Sequence, residues 1–201
     1  MVDVIHSMKI LVMDTETTDK PPKIALLPGT VDFWPSIVQM SFILMDTNFK
    51  YTAYDYVIKT SRDIENSHIH GITKSMNTKQ GYDFSDIYEI YKLCVQEADI
   101  VVGHNISFDL NMIRAECYRR NIVYVDPKIS YCTMMSTRYV CNLPNHKWPT
   151  LNELHVALFH ESATNLHNSL KDCLVCLRCY LKLMSGIDLL DKHKGIYNLQ
   201  L

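Results

Sequence analysis

No apolar run in this 201-residue sequence approaches the length of a membrane span, which argues against a helical membrane protein. The opening "MVDVIHSMKILVMD" has an early acidic residue and no small-residue cleavage site, so no secretory signal is read there. Excess charge of either sign is also missing. With 20 Lys+Arg against 22 Asp+Glu the net charge is -2. The chain is therefore no polycation, and any contact with nucleic acid must come from local basic residues or bound metal rather than the global field. There is no even set of cysteines either. Seven are scattered along the chain, against a disulfide framework and for a reducing intracellular compartment, cytoplasmic or nuclear. In "DCLVCLRCY", Cys173, Cys176 and Cys179 recur every third residue without a fourth ligand. One helical stripe of small buried hydrophobes is expected there, not a zinc or iron–sulfur site. No repeat, low-complexity tract or linker breaks the sequence.

What is present is the composition of a globular protein, 47% hydrophobic and 21% charged. One domain over 1–201 is expected, with a core from about 8 to 182 and a short tail, 183–201. "MKILVMD", 36–46, 51–58, "IVVGH" and "IVYVD" read as strands, with a turn at Asn48 between the second and third. Residues 19–35 hold four of seven prolines and form a loop. "SRDIENSHIHGIT" reads as a loop with a helical turn. Helices are expected over 83–99, 107–120, 131–140, 150–159 and 169–185. Early strands, then strand–helix alternation, then a helical last third imply an α/β mixed sheet with helices on its faces.

The strand "LVMDTET" ends in Asp14 and Glu16. Residues two apart on a strand share a face, the geometry for two ligands to a hard cation; a solvated strand end is the plainer alternative. In "VVGHNISFDLNMI" a strand ends at His104, Asn105 or Ser107 can cap a helix, and Asp109 falls in its first turn. Open sheets place their sites beyond the carboxyl ends of strands, which would bring Asp109 to the same mouth. In "NLHNSLKDCL", Ser169 and Asp172 resemble a capping box. On one helix, His167 and Asp172 would lie about 140° apart. They can share a site only if His167 is on the entering loop. Carboxylates suit Mg²⁺ or Mn²⁺, and an imidazole, with a typical pKa of about 6.5, can take a proton from an attacking water near neutrality.

At these residues the chain resembles the DEDDh, DnaQ-like exonucleases of the ribonuclease H-like superfamily. "DTETT" matches the first motif, "HNISFD" the second, and His167 with Asp172, as H-x-x-x-x-D, the third in its histidine form. The sister group has tyrosine where Asn168 stands. "IVQMSFILMD", "HIHGIT" and "WPTLNELHVALF" match softer features, so the resemblance spans roughly 8–182. It implies a ribonuclease H-like mixed five-stranded sheet with helices on both faces. It also implies a metal-dependent 3′–5′ exonuclease releasing nucleoside 5′-monophosphates from single-stranded DNA or frayed 3′ ends. Two Mg²⁺ or Mn²⁺ ions would clamp the displacement, about 3.5–4 Å apart. Asp14, Glu16 and Asp172 would hold the first, Asp14 and Asp109 the second, and His167 would be the general base. Thr17, Glu65, His70 and Phe108 would meet the terminal nucleotide, with core packing as the alternative for Phe108. Asn105 is read as a cap rather than a ligand.

The resemblance leaves RNA open as substrate, a DNA polymerase as partner, with a scaffolding role beside it, and a homodimer as the assembly. Two departures stand out. Asp19 replaces a frequent glycine after the first motif, and 19–35 is a long loop beginning beside the site. Trp34 there is read either as a base-stacking residue or as core. Lys20, Lys23, Lys74 and Lys171 are candidate phosphate contacts, with solvated charge as the alternative.

Overall fold

The computed structural model describes residues 7–194. The first six residues, on which part of the reading of the N-terminus rests, and 195–201 of the tail lie outside the described residues. In chain order the elements are β1 (Lys9–Thr17), β2 (Ile37–Asp46), β3 (Tyr51–Val57), α1 (Ser67–His70), α2 (Lys74–Gln80), α3 (Phe84–Glu97), β4 (Ile100–Gly103), α4 (Ile106–Arg120), β5 (Ser130–Cys132), α5 (Thr133–Ser136), α6 (Leu151–Phe159), α7 (Ser169–Ser185) and α8 (Leu189–Lys192). The strands form one sheet in the order β3-β2-β1-β4-β5. β1 is antiparallel to β2, with Asp14 opposite Ser41, and parallel to β4, with Leu11 opposite Val101. The sheet is therefore mixed, as expected.

Alternation along β1 sorts its side chains between two cores. Leu11 and Met13 face α3 and α4, packing with Tyr88, Tyr91, Met112 and Ile113. Ile10 and Val12 face α7, packing with Leu170, Cys173, Leu174 and Leu177. Helices thus cover both faces. Cys173 and Cys176 join the core under the sheet, whereas Cys179 joins Leu154 and Val175 in a separate cluster beside α6. The three cysteines are buried but not one stripe, because a spacing of three falls short of the 3.6-residue turn and drifts around the helix.

Four elements differ from the sequence reading. "IVYVD" is not a strand; the fifth strand is Ser130–Cys132. The Tyr88 hydroxyl donates to the Val123 carbonyl at 3.1 Å and accepts from Val125 N–H at 2.9 Å, so one side chain satisfies backbone groups that a sheet would have paired. The helix expected over 131–140 shrinks to Thr133–Ser136, since its first residues are drawn into β5. Lys74–Gln80 is helical although its sequence carries no apolar period; Thr73 caps it by accepting from Met76 N–H. The 19–35 loop contains a six-residue 3-10 turn, Pro28–Phe33.

Trp34 at the end of that loop is 6% exposed and part of the core, so it is not available to stack on a base. Arg119 donates to the carbonyls of Val31, Trp34 and Pro35, fixing the loop's exit.

Candidate active site

β1 carries Asp14 and Glu16 to its carboxyl end, both projecting toward α7. A register shift between Glu16 and Thr17 breaks the β1–β2 ladder there, a bulge of the kind that re-aims side chains at sites. The N-terminus of α7 is stitched to this strand. Ser169 Oγ donates to the Asp14 carbonyl at 2.6 Å. The helix cap is Asn168, whose side chain accepts from Lys171 N–H. The capping residue is therefore one position earlier than Ser169, and the asparagine standing at the sister group's tyrosine position has a structural task. Asp172 falls in the first turn of α7, as expected.

Oxygens of Asp14, Glu16 and Asp172 all lie within 4.8 Å of one another. One Asp172 oxygen, Oδ2, accepts from His167 N–H at 3.1 Å. The other, Oδ1, is buried without a hydrogen-bond partner. His167 is exposed, outside α7, with φ 68, so the entering loop presents it as the geometry required. Asp109 lies on the opposite face of β1, close enough for its charge to act on Asp14 but outside the trio whose oxygens lie within 4.8 Å. Its Oδ1 accepts from Thr15 N–H at 2.9 Å and from Thr15 Oγ1 at 2.8 Å, and it is 2% exposed. Gly103 allows α4 to begin this close to the sheet, since a Cβ there would meet Ile106 Cδ1 at 2.7 Å. Asn105 occupies the cap position of α4 with φ 72, but its side chain makes no capping bond.

Burial first, and neighbouring carboxylates at Asp14, Glu16 and Asp109, raise the proton affinity of the four carboxyls. Burial pushes Asp14 well above the ordinary carboxylate range, with further upward pressure from Asp109, Asp172 and Glu16. Burial, then the charges of Asp172 and Asp109, push Glu16 up to about 7. Burial also lifts Asp109 to about 7 against the lowering bonds from Thr15, and Asp172 to about 7 against the His167 N–H. A set of oxygen donors with one buried orphan oxygen and mutually repelling charge fits a hard divalent cation. All four groups titrate higher folded than unfolded, where carboxyls sit near about 4. Without cation the fold therefore holds more protons and loses stability as pH rises from about 4 to about 7. Melting in EDTA should show that decline. Adding Mn²⁺ at neutral pH, at about 100 times its dissociation constant, should raise the midpoint by about 5–10 °C. Identical melting with and without Mn²⁺ would remove the cation from this cleft.

The other expected contacts separate. Thr17 is buried and its hydroxyl donates to the Asp19 carbonyl. The neighbouring Thr18 carbonyl accepts from Glu65 N–H at 3.0 Å, which brings the turn carrying exposed Glu65 beside the end of β1. His70 is 8% exposed; Nδ1 accepts from Ile72 N–H, and the ring lies against the Thr17 backbone. Phe108 packs partly buried against the α3–α4 core, in keeping with its core alternative. Lys74 is spent on the carbonyls of Thr60 and Arg62, so it is a brace rather than a phosphate contact. Lys20 and Lys23 are exposed.

The cleft itself, about 300 Å³, is lined by Asp14, His167 and Asp172 and by residues not singled out as site candidates: His104, which opens "HNISFD", Thr150, Leu151 and Asn152 within "WPTLNELHVALF", and Leu166. His104 bridges Thr133 Oγ1 and the Pro149 carbonyl, both at 2.9 Å, and so anchors the wall. Asn152 Oδ1 accepts from Ala163 N–H and braces the loop toward His167. The available signal was the T-x-x-E spacing of Thr150 and Glu153, a capping box that starts α6 at the cleft.

A mixed sheet with a carboxylate cluster at the end of its central strand defines a class of α/β proteins built around an acidic cleft. More particularly, the RNase_T family model, described as "Exonuclease", matches residues 11–180, and the chain belongs to that exonuclease family. No curated protein is significantly similar in sequence. Solved structures share the fold. E. coli Exonuclease I in complex with a dT13 oligonucleotide superposes with a TM-score of 0.66 at 16% identity, over 89% of this chain and 42% of that one. A 3′-exonuclease described in 3′-end specific recognition of a histone mRNA stem-loop gives 0.69 at 13%, over 90% and 65%. Exonuclease X in complex with 5′ overhanging duplex DNA gives 0.55 at 20%, over 94% and 99%. The chain thus spans less than two thirds of the first two and nearly all of the third. No helix among the described residues is long and apolar enough to cross a membrane.

Proposed function

We propose that the chain is a metal-dependent 3′–5′ exonuclease that hydrolyses the terminal phosphodiester of a nucleic acid and releases a nucleoside 5′-monophosphate. The observation that carries this reading is the trio of oxygens within 4.8 Å in an open cleft, with a buried Asp172 oxygen awaiting a partner. Asp14, Glu16 and Asp172 would hold one divalent cation; Asp14 with Asp109 would hold a second. Ions bound there supply positive charge to the scissile phosphate and ease deprotonation of the attacking water. The chain's own groups do the rest. His167 stands exposed at the mouth and takes the proton of the attacking water at its imidazole nitrogen. Asp172 accepts the His167 N–H, which holds the base's backbone in place. The bulge after Glu16 presents the Thr17 backbone to the terminal sugar. Exposed Glu65 offers a polar contact on the same side, with buried His70 behind it.

The similar folds were seen with oligo-dT, a histone mRNA stem-loop and 5′ overhanging duplex DNA, so both sugars are reasonable substrates and single-stranded DNA is our first choice. The test is a gel assay of the purified chain on 5′-labelled DNA and RNA strands of one sequence, with Mg²⁺, Mn²⁺ or EDTA. A metal-dependent ladder shortening from the 3′ end is expected, and the faster strand identifies the preferred sugar. Intact strands of both kinds under every condition would sink the assignment as a stand-alone enzyme and favour a subunit acting through a polymerase.

A further inference from the structure

The segment joining α5 to α6 carries a group of side chains that the cleft chemistry leaves unused. The Arg138 guanidinium lies over the Trp148 ring, 4.6 Å from its centroid, and 6.0 Å from the centroid of Tyr139. Arg138 Nε donates to the His146 carbonyl, and the His146 ring sits 5.6 Å from Tyr139. Trp148 is 43% exposed and Tyr139 74%. Neither is a core residue; the chain's other tryptophan, Trp34, shows by contrast what burial looks like. Lys147 pairs with Glu153, but Arg138 has no carboxylate partner among the described ion pairs. A guanidinium without a carboxylate partner among the described ion pairs therefore lies on the surface against one exposed ring and beside a second.

Its position gives it a use. The Pro149 carbonyl is pinned by His104 at 2.9 Å, and Thr150 lines the acidic cleft. Trp148 thus lies two residues along the chain from Thr150 of the cleft wall, next to the pinned Pro149. We propose that Arg138, Tyr139 and Trp148 form a stacking platform for bases of a single-stranded polynucleotide whose 3′ end lies in the cleft. This rests on the exonuclease reading. Every base offers a π-face, so such a platform grips strands without reading sequence. The free guanidinium adds attraction for the polyanion and stacks on bases as readily as on the rings it already touches. In a chain of net charge -2, a local cation on this segment also answers the need for basic residues near the site.

The two tryptophans make the test direct. In the Asp14→Asn chain with EDTA, a labelled single strand of about twelve nucleotides, within the usual range of single-strand sites, is titrated by anisotropy while tryptophan emission is followed. Saturable binding with quenching is expected. Adding Trp148→Leu should remove the quenching, since Trp34 is buried, and weaken binding by about 5- to 150-fold, the worth of one base–aromatic stack. Tyr139→Leu should weaken it less. In the Asp14-intact chain, Trp148→Leu should raise KM for the long strand by more than for a dinucleotide. Equal affinity with and without Trp148, binding without quenching, or no binding at all would overturn the platform, provided the variant melts with its parent. Quenching by a strand that the Asp14-intact chain never hydrolyses would keep the platform and discard the exonuclease reading. Hydrolysis untouched by Trp148→Leu would do the reverse.

Discussion

The Asp14→Asn chain is expected to hydrolyse 3′ ends about 10³- to 10⁵-fold more slowly than the unmodified chain, the range spanned by losing a principal charge-positioning element in phosphoryl transfer. Asp14 is the right place to look because it is the one carboxylate proposed to face both cations, and its oxygens sit within 4.8 Å of those of Glu16 and Asp172. Asparagine keeps the shape and removes the charge. The fold should survive. Ser169 grips the main-chain carbonyl of residue 14, which the substitution leaves in place, and relieving repulsion among four crowded carboxyls favours the metal-free state. Circular dichroism and a melt in EDTA, set beside single-turnover rates with Mg²⁺, separate the two effects. A rate within tenfold of the unmodified chain would end the metal assignment at this residue.

A drop of about 10² to 10⁴ in rate is expected on removing the His167 imidazole, the usual worth of a general base. The backbone dictates the choice of variant. Residue 167 has φ 68, a left-handed conformation that alanine adopts at some cost and asparagine tolerates. His167→Asn therefore deletes the base while preserving the loop and the N–H bond to Asp172. Its remaining rate should climb with pH as hydroxide replaces the missing base, and KM for the strand should move little. An unchanged rate at neutral pH would place proton removal elsewhere in the cleft.

Much of the site was legible because local rules sufficed. Strand alternation put Asp14 and Glu16 on one face, and the need for His167 to precede its helix followed from helical period alone. Less legible was anything that depended on distant partners. "IVYVD" has the composition of a strand, yet one tyrosine hydroxyl from α3 satisfies its backbone. Asp109 could be placed in a first turn, but not its anchorage on Thr15, 94 residues earlier. The spacing of Ser169 and Asp172 pointed to Ser169 as the cap. Ser169 is instead turned inward to the Asp14 carbonyl, and the capping falls to its neighbour. The T-x-x-E spacing marked the start of α6, but not that His104 would bridge Thr133 and the Pro149 carbonyl and so bring that start to the cleft.

The bond from Ser169 to the Asp14 carbonyl joins positions 155 residues apart, and this has a bearing on synthesis. A chain emerging from the ribosome completes β1 first and α7 among the last of its described elements. Until α7 has emerged and docked, Asp172 cannot meet Asp14 and Glu16, and the partial chain has two carboxylates but no closed cluster. Contacts of such long sequence separation form late. The carboxylate cluster would thus close only after nearly all of the sheet and its covering helices exist, so a chain cut short before α7 would lack it.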